Sequence, residues 1–315
     1  AVACRFLISR SHKASRDKKV FWFLGEGEND YAKSVKFAKT FTLFVMQPKP
    51  ISKSNLTSRL FFALLFLVIF LAAVWVRFYN VDWDEGTHLH PDERFLTMVL
   101  SAIELPDSPA QYWDTATSPL NPTNKGYTSY VYGTLPLFAT HVVAGWVDQA
   151  CATPPRALGV FLRWLLLNAS EPCYPGLYTG YGGIHLVGRT LSALADLATL
   201  LALMLLARIL YDRKVALLAA ALYAFAVLPI QHAHFFVVDS FATVFVAWTL
   251  CFAVLAVQRR QLWWLLPAGI ATGLAVSSKI SVWPLAGVIG LAALLHYEPA
   301  DQGLPRYRFV LAPMP

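Results

Sequence analysis

Beyond its first 59 residues this 315-residue chain has almost no surplus charge, and it carries few cysteines and few carboxylates for its length. Only 14% of residues are charged against 57% hydrophobic, which excludes a large soluble core. The apolar runs are continuous rather than alternating, so helices are expected and a membrane barrel is excluded. The four cysteines, Cys4, Cys151, Cys173 and Cys251, show no CxxC or Cys/His spacing suited to zinc. Cys151 and Cys173 form a candidate disulfide in an oxidising compartment; two free thiols are the plainer alternative. Internal repeats of the kind found in transporters are also missing.

The net charge of +7 is local. Residues 1–59 hold 12 Lys/Arg against 4 Asp/Glu, and the remaining residues hold 14 against 15. No basic and aromatic patch follows, so nucleic acid is not an expected partner. Residues 1–45 lack the pattern of a signal peptide and read as a non-native or disordered extension, with Met46 as the expected start. Residues 46–315 read as a membrane domain whose later spans are expected to lie beyond Pro315.

What is present is an all-α polytopic membrane protein. Residues 60–76 carry no charge and are long enough to cross roughly 30 Å of hydrocarbon. Further spans are expected at about 185–207, 215–232, 239–257, 261–278 and 280–297. Lys49, Lys53 and Arg59 precede the first span, so the positive-inside rule puts the N-terminus in the cytoplasm. Residues 130–148 are apolar enough to cross as well. If they lie on the outer surface instead, 77–184 becomes one long extracytoplasmic loop with interfacial helices, and this arrangement is preferred because it leaves the later Arg and Lys clusters inside. Asn168-Ala169-Ser170 has the form of a glycosylation sequon.

The main concentration of acid follows the first span. Asp82, Asp84, Glu85, Asp92 and Glu93 stand within twelve residues, beside His88, His90 and Arg94. Pro91 suits the first position of a helix, and Leu96, Val99, Leu100 and Ile103 give it an apolar stripe. An amphipathic helix over 91–104 on the membrane surface is expected. Asp92 and Glu93 then occupy its first turn, where the macrodipole favours a carboxylate. Such a group at headgroup level can serve as a general base; simple helix capping is the alternative. His88, His90 and Asp84 are candidate ligands for a divalent metal, weighed against solvated loop histidines. No other cofactor is indicated. Arg189, Asp196, Asp239 and Lys279 are ionisable residues within or at the ends of spans and are functional candidates on that ground.

Six fragments in order resemble the membrane-embedded GT-C glycosyltransferases that use polyprenyl-phosphate sugars, especially the protein O-mannosyltransferase, ArnT-like and Rgt-like families. They are Asp92-Glu93-Arg94-Phe95, Tyr130-Val131-Tyr132-Gly133-Thr134-Leu135-Pro136-Leu137-Phe138, Gly188-Arg189-Thr190-Leu191-Ser192-Ala193-Leu194, Arg208-Ile209-Leu210-Tyr211, His234-Phe235-Phe236-Val237-Val238-Asp239-Ser240 and Gly273-Leu274-Ala275-Val276-Ser277-Ser278-Lys279. The resemblance implies a GT-C membrane module at the plasma membrane, an extracytoplasmic site, and inverting transfer of a mannose-type or other sugar to a lipid, glycan or protein acceptor. It implies Asp92 as catalytic base with Glu93 beside it, and Asp239 as a second acidic position. Arg189, Lys279 and Arg94 are the groups it suggests for the donor phosphate. Where ArnT-like enzymes place a lysine in a Tyr-Glu-Lys-Pro-Pro segment, this chain has Thr134. Two other readings stand beside it: a transporter with Asp196, Asp239 and Lys279 on an ion path, and a non-catalytic scaffold.

Overall fold

The computed structural model of the chain describes residues 56–152 and 174–296, all within one compact unit. Residues 1–45, the Asn168 sequon, and the thiols of Cys151 and Cys173 lie outside the described residues. Among those described, every regular element is a helix. The helices are α1 (Leu56–Phe78), α2 (Pro91–Leu100), α3 (Pro109–Trp113), α4 (Leu135–Ala152), α5 (Ile184–Leu210), α6 (Arg213–Ala224), α7 (Val227–Ala233), α8 (Val238–Arg259), α9 (Leu265–Ser278) and α10 (Ala286–Leu295). Three of these are long and apolar enough to cross a membrane: α1, α5 and α8. They match the expected spans near 60–76, 185–207 and 239–257.

The expected span at 215–232 is broken instead. Helices α6 and α7 meet at a bend of 57°, and together they make a fourth crossing only if the pair is taken as one broken span. Pro229, in the first turn of α7, accounts for the break. Its ring would collide with the carbonyl of Phe225 in a continuous helix, and it has no N–H to offer. The expected spans at 261–278 and 280–297 are shorter apolar helices, each opened by a 3-10 turn. Helix α4 covers most of 130–148 and is not among the three helices that meet the length and apolarity needed to cross.

Helix α8 packs against α5, α9 and α10, while α5 also holds α4, α6 and α7. Helix α1 is different, with most of its apolar surface uncovered by protein and only α6 and α5 as main neighbours. One charged residue fixes that contact. Arg77 in the last turn of α1 is buried, is ion-paired with Asp196 of α5, and donates to the Ala224 carbonyl at 3.0 Å. The Tyr223 hydroxyl donates to the other Asp196 oxygen at 2.6 Å. Asp196 is therefore a structural partner that joins three helices, and Arg77 satisfies an end carbonyl of α6 that the bend leaves without a helical donor.

Removing one member of this pair strands the other in an apolar setting. Arg77→Leu is expected to cost about 3–5 kcal/mol, whereas Arg77→Leu combined with Asp196→Leu should recover much of that loss. Thermal unfolding of both variants in detergent checks this. Equal losses in the single and double variants would show that the pair is not what holds α1.

Candidate active site

The loop between α1 and α2 is tightly wound. Asn80, Glu85 and His88 have φ of 53°, 51° and 49°, and Gly86 has φ of 73°. Non-glycine residues held in that region store strain of order 1–3 kcal/mol each, a pattern common where side chains are aimed for function. The loop delivers the chain to His90, whose Nδ1 accepts from the Asp92 N–H at 3.2 Å and caps α2. Pro91 opens the helix, as its fixed φ favours.

Helix α2 ends at Leu100, and its stripe faces protein rather than lipid. Leu96, Val99, Leu100 and Ile103 are all buried, in one cluster with Val81, Leu137, Tyr178 and Phe236. The expected surface helix over 91–104 is thus corrected to a shorter helix whose apolar face completes the protein core. The reason is that the long loop folds back and brings α4 and α5 against it.

This packing separates the acidic pair. Glu93 is fully buried and accepts from Arg189 through both oxygens, Nε to Oε2 at 2.9 Å and Nη2 to Oε1 at 2.5 Å. The Phe236 N–H also donates to Oε2, at 2.7 Å. Gly188 permits that last contact, because a Cβ there would overlap the Phe236 ring. Arg189, also fully buried, adds the Val81 carbonyl at 2.9 Å and the Asp84 carboxylate at 2.8 Å. The guanidinium expected to hold a donor phosphate is enclosed by carboxylates of its own chain. Burial pushes the Asp84 carboxyl up, but Arg189 and the Leu89 N–H more than offset it, leaving Asp84 below the usual range.

Asp92 faces the other way and is partly exposed. Tyr132 lies close to it and feels the charges of both Asp92 and Asp239. Burial, chiefly, and the two carboxylates push the Tyr132 phenol up to about 12, so it keeps its proton at neutral pH. Lys279 pairs with Asp239 at 2.6 Å, and both side chains keep roughly two-fifths of their surface, 38% and 39%. Asp92, Tyr132, Asp239 and Lys279, drawn from four separate segments, are thus grouped on one face, with the Asp239–Lys279 pair as its direct ion contact. Gly133 joins two of them: its N–H donates to the Ser278 carbonyl at 3.0 Å, and a Cβ at 133 would overlap the backbone of Ser277. Phe95, Tyr127 and Tyr130 surround this face, with Tyr130 stacked on Phe95 at 6.1 Å.

The remaining candidates fall elsewhere. Arg94 is exposed and donates twice to the His88 carbonyl, at 3.2 and 3.1 Å, bracing the loop ahead of α2. The expected metal trio of Asp84, His88 and His90 does not converge, because His90 caps α2 and packs its ring on Phe235 at 4.8 Å. Tyr132 was not expected as a site residue. Its place immediately before Gly133-Thr134-Leu135-Pro136 gives no chemical signal beyond the resemblance that includes it.

Against known proteins, residues 182–301 match the model of the family described as dolichyl-phosphate-mannose-protein mannosyltransferase. That stretch covers α5 to α10, including Arg189, Asp239 and Lys279, and over it the chain is similar to membrane glycosyltransferases of mannosyltransferase type. No curated protein and no solved structure matches the chain.

Proposed function

We propose that the chain transfers a sugar from a polyprenyl-phosphate donor to an acceptor hydroxyl or amine at the membrane surface. Asp92 takes the acceptor proton, the acceptor atom attacks the anomeric carbon from the face opposite the phosphate, and the carbon–oxygen bond to phosphate breaks with its electron pair leaving on the lipid phosphate. The anomeric configuration inverts. Tyr132, beside Asp92, keeps its proton and can hydrogen-bond the acceptor or the carboxylate, and Lys279, oriented by Asp239, meets the charge that develops on the leaving phosphate. Glu93 and Arg189 are positioning residues that hold α2 on α5. The observation that carries this reading is the grouping of Asp92 and Asp239 about Tyr132, with the half-exposed Lys279 ion-paired to Asp239 at 2.6 Å.

The end of α1 and the starts of α5 and α8 meet at this face, since Arg189 binds Val81 and His234 contacts the Tyr79 carbonyl at 3.1 Å. Arg59 lies at the opposite end of α1, which favours an extracytoplasmic site. An ion path through Asp196 is disfavoured, because Asp196 is held by Arg77 and Tyr223.

The test is transfer of labelled sugars from a panel of polyprenyl-phosphate hexoses and pentoses by the full chain in nanodiscs. Transfer from at least one donor is expected, with a donor KM raised roughly tenfold or more in Lys279→Met, as loss of a charged hydrogen bond predicts. Absence of transfer from every donor overturns the proposal, and an unchanged KM removes Lys279 from the phosphate site.

A further inference from the structure

On the far side of the Glu93–Arg189 pair lies a second cluster. Asp82 and Asp84 from the loop, and His185 from the first turn of α5, each bring one ligand atom within 4.8 Å of the others. His185 is 1% exposed, and neither of its ring nitrogens has a hydrogen-bond partner among the described residues. The same is true of His88, 2% exposed, whose ring centroid is 4.3 Å from that of His185. Asp84 Oδ1, by contrast, is ion-paired with Arg189 at 2.8 Å. Buried polar groups left without a partner cost about 1–3 kcal/mol each, and this cluster holds several.

Charge points in the same direction. Asp82, Asp84 and Glu93 meet a single buried cation, Arg189. The formal charges of these three carboxylates and one guanidinium sum to −2, which a dication would balance.

We propose that Asp82, Asp84 and His185, with His88 adjoining, form a site for a divalent transition ion, with Zn2+ the best fit. Two carboxylate oxygens and an imidazole nitrogen match its mixed donor preference, whereas Mg2+ and Ca2+ favour oxygen alone. Asp82 is half-open, with its side chain 44% exposed, and gives the ion a way in from water and room for a water ligand. The ion clamps the strained loop 79–90 onto α5. That loop leads directly into Asp92, so the site positions the base without taking part in proton or sugar transfer.

Metal binding is read without any sugar donor, so its failure leaves the proposed transfer reaction untouched. The full chain in nanodiscs, treated with EDTA and dialysed, is titrated with ZnCl2 and its metal content measured by mass spectrometry. About one Zn2+ per chain is expected, with a rise in Tm that MgCl2 at equal concentration does not give. Asp82→Asn, at a half-open position where the amide oxygen can still accept from the Gly86 N–H, and His185→Gln should each weaken Zn2+ binding roughly tenfold or more. Asp114→Asn, at a separate exposed carboxylate, should bind as the unaltered chain does. Metal content near zero, or Asp82→Asn binding Zn2+ undiminished, overturns the site.

Discussion

Asp92→Asn is expected to lower the rate of sugar transfer by about 10²–10⁴-fold while leaving the unfolding temperature of the protein unchanged, because an amide cannot accept the proton that a positioned general base removes. Three features separate this from a folding defect. The cap on α2 uses the backbone N–H of residue 92, not its side chain. Tyr132 lies close to residue 92, and the Asn oxygen keeps an acceptor facing it. The side chain is also partly exposed, so no buried charge is gained or lost. The drop should fall on kcat, with donor KM within about threefold, if Lys279 binds the lipid phosphate as proposed. Transfer within about threefold of the unaltered rate would exclude Asp92 as the base.

Glu93→Ala should behave in the opposite manner, losing stability first. Its carboxylate takes two Arg189 donors and the Phe236 N–H at 0% exposure, so removing it leaves a buried guanidinium with a reduced set of acceptors and an amide with none. A broken buried pair of this kind costs about 3–5 kcal/mol. The measurable outcome is a lower Tm in detergent, along with reduced transfer because α2, and with it Asp92, is no longer held on α5. Glu93→Gln keeps an acceptor for Phe236 and one for Arg189, and should fall between the two. If Glu93 were itself the base, Glu93→Gln would abolish transfer at an unchanged Tm, and the roles assigned to the pair would have to be exchanged.

Much of this arrangement was visible in the order of residues. Pro91 followed by Asp92 and Glu93 marks a helix start by local rules, and the three main spans follow from uninterrupted apolar length. The different fates of the two acids were also written there but need the right comparison. Glu93 falls in register with Leu96, Thr97 and Leu100 on the buried face, so the same periodicity that predicts the helix turns its carboxylate inward. Pro229 likewise announces the break between α6 and α7.

What local pattern could not supply was the meeting of distant segments. Nothing near Arg189 says that its partner is 96 residues earlier, or that Asp84 lies close to it as well. Its placement inside an apolar helix marked it as a functional candidate and the resemblance suggested phosphate, whereas the carboxylates that enclose it belong to a loop whose path depends on tertiary packing. His185 was overlooked for the same reason, since alone at the start of a span it looks like an interfacial side chain, and only the loop's return places Asp82 and Asp84 beside it.

The contact between Gly133 and Ser278 carries a final implication for how the protein tolerates change. It is backbone against backbone, joining the segment that bears Tyr132 to the segment that bears Lys279. The bond holds the two segments at main-chain distance, so any side chain larger than the hydrogen atom at position 133 would have to push them apart, and with them the neighbourhoods of Tyr132 and Lys279.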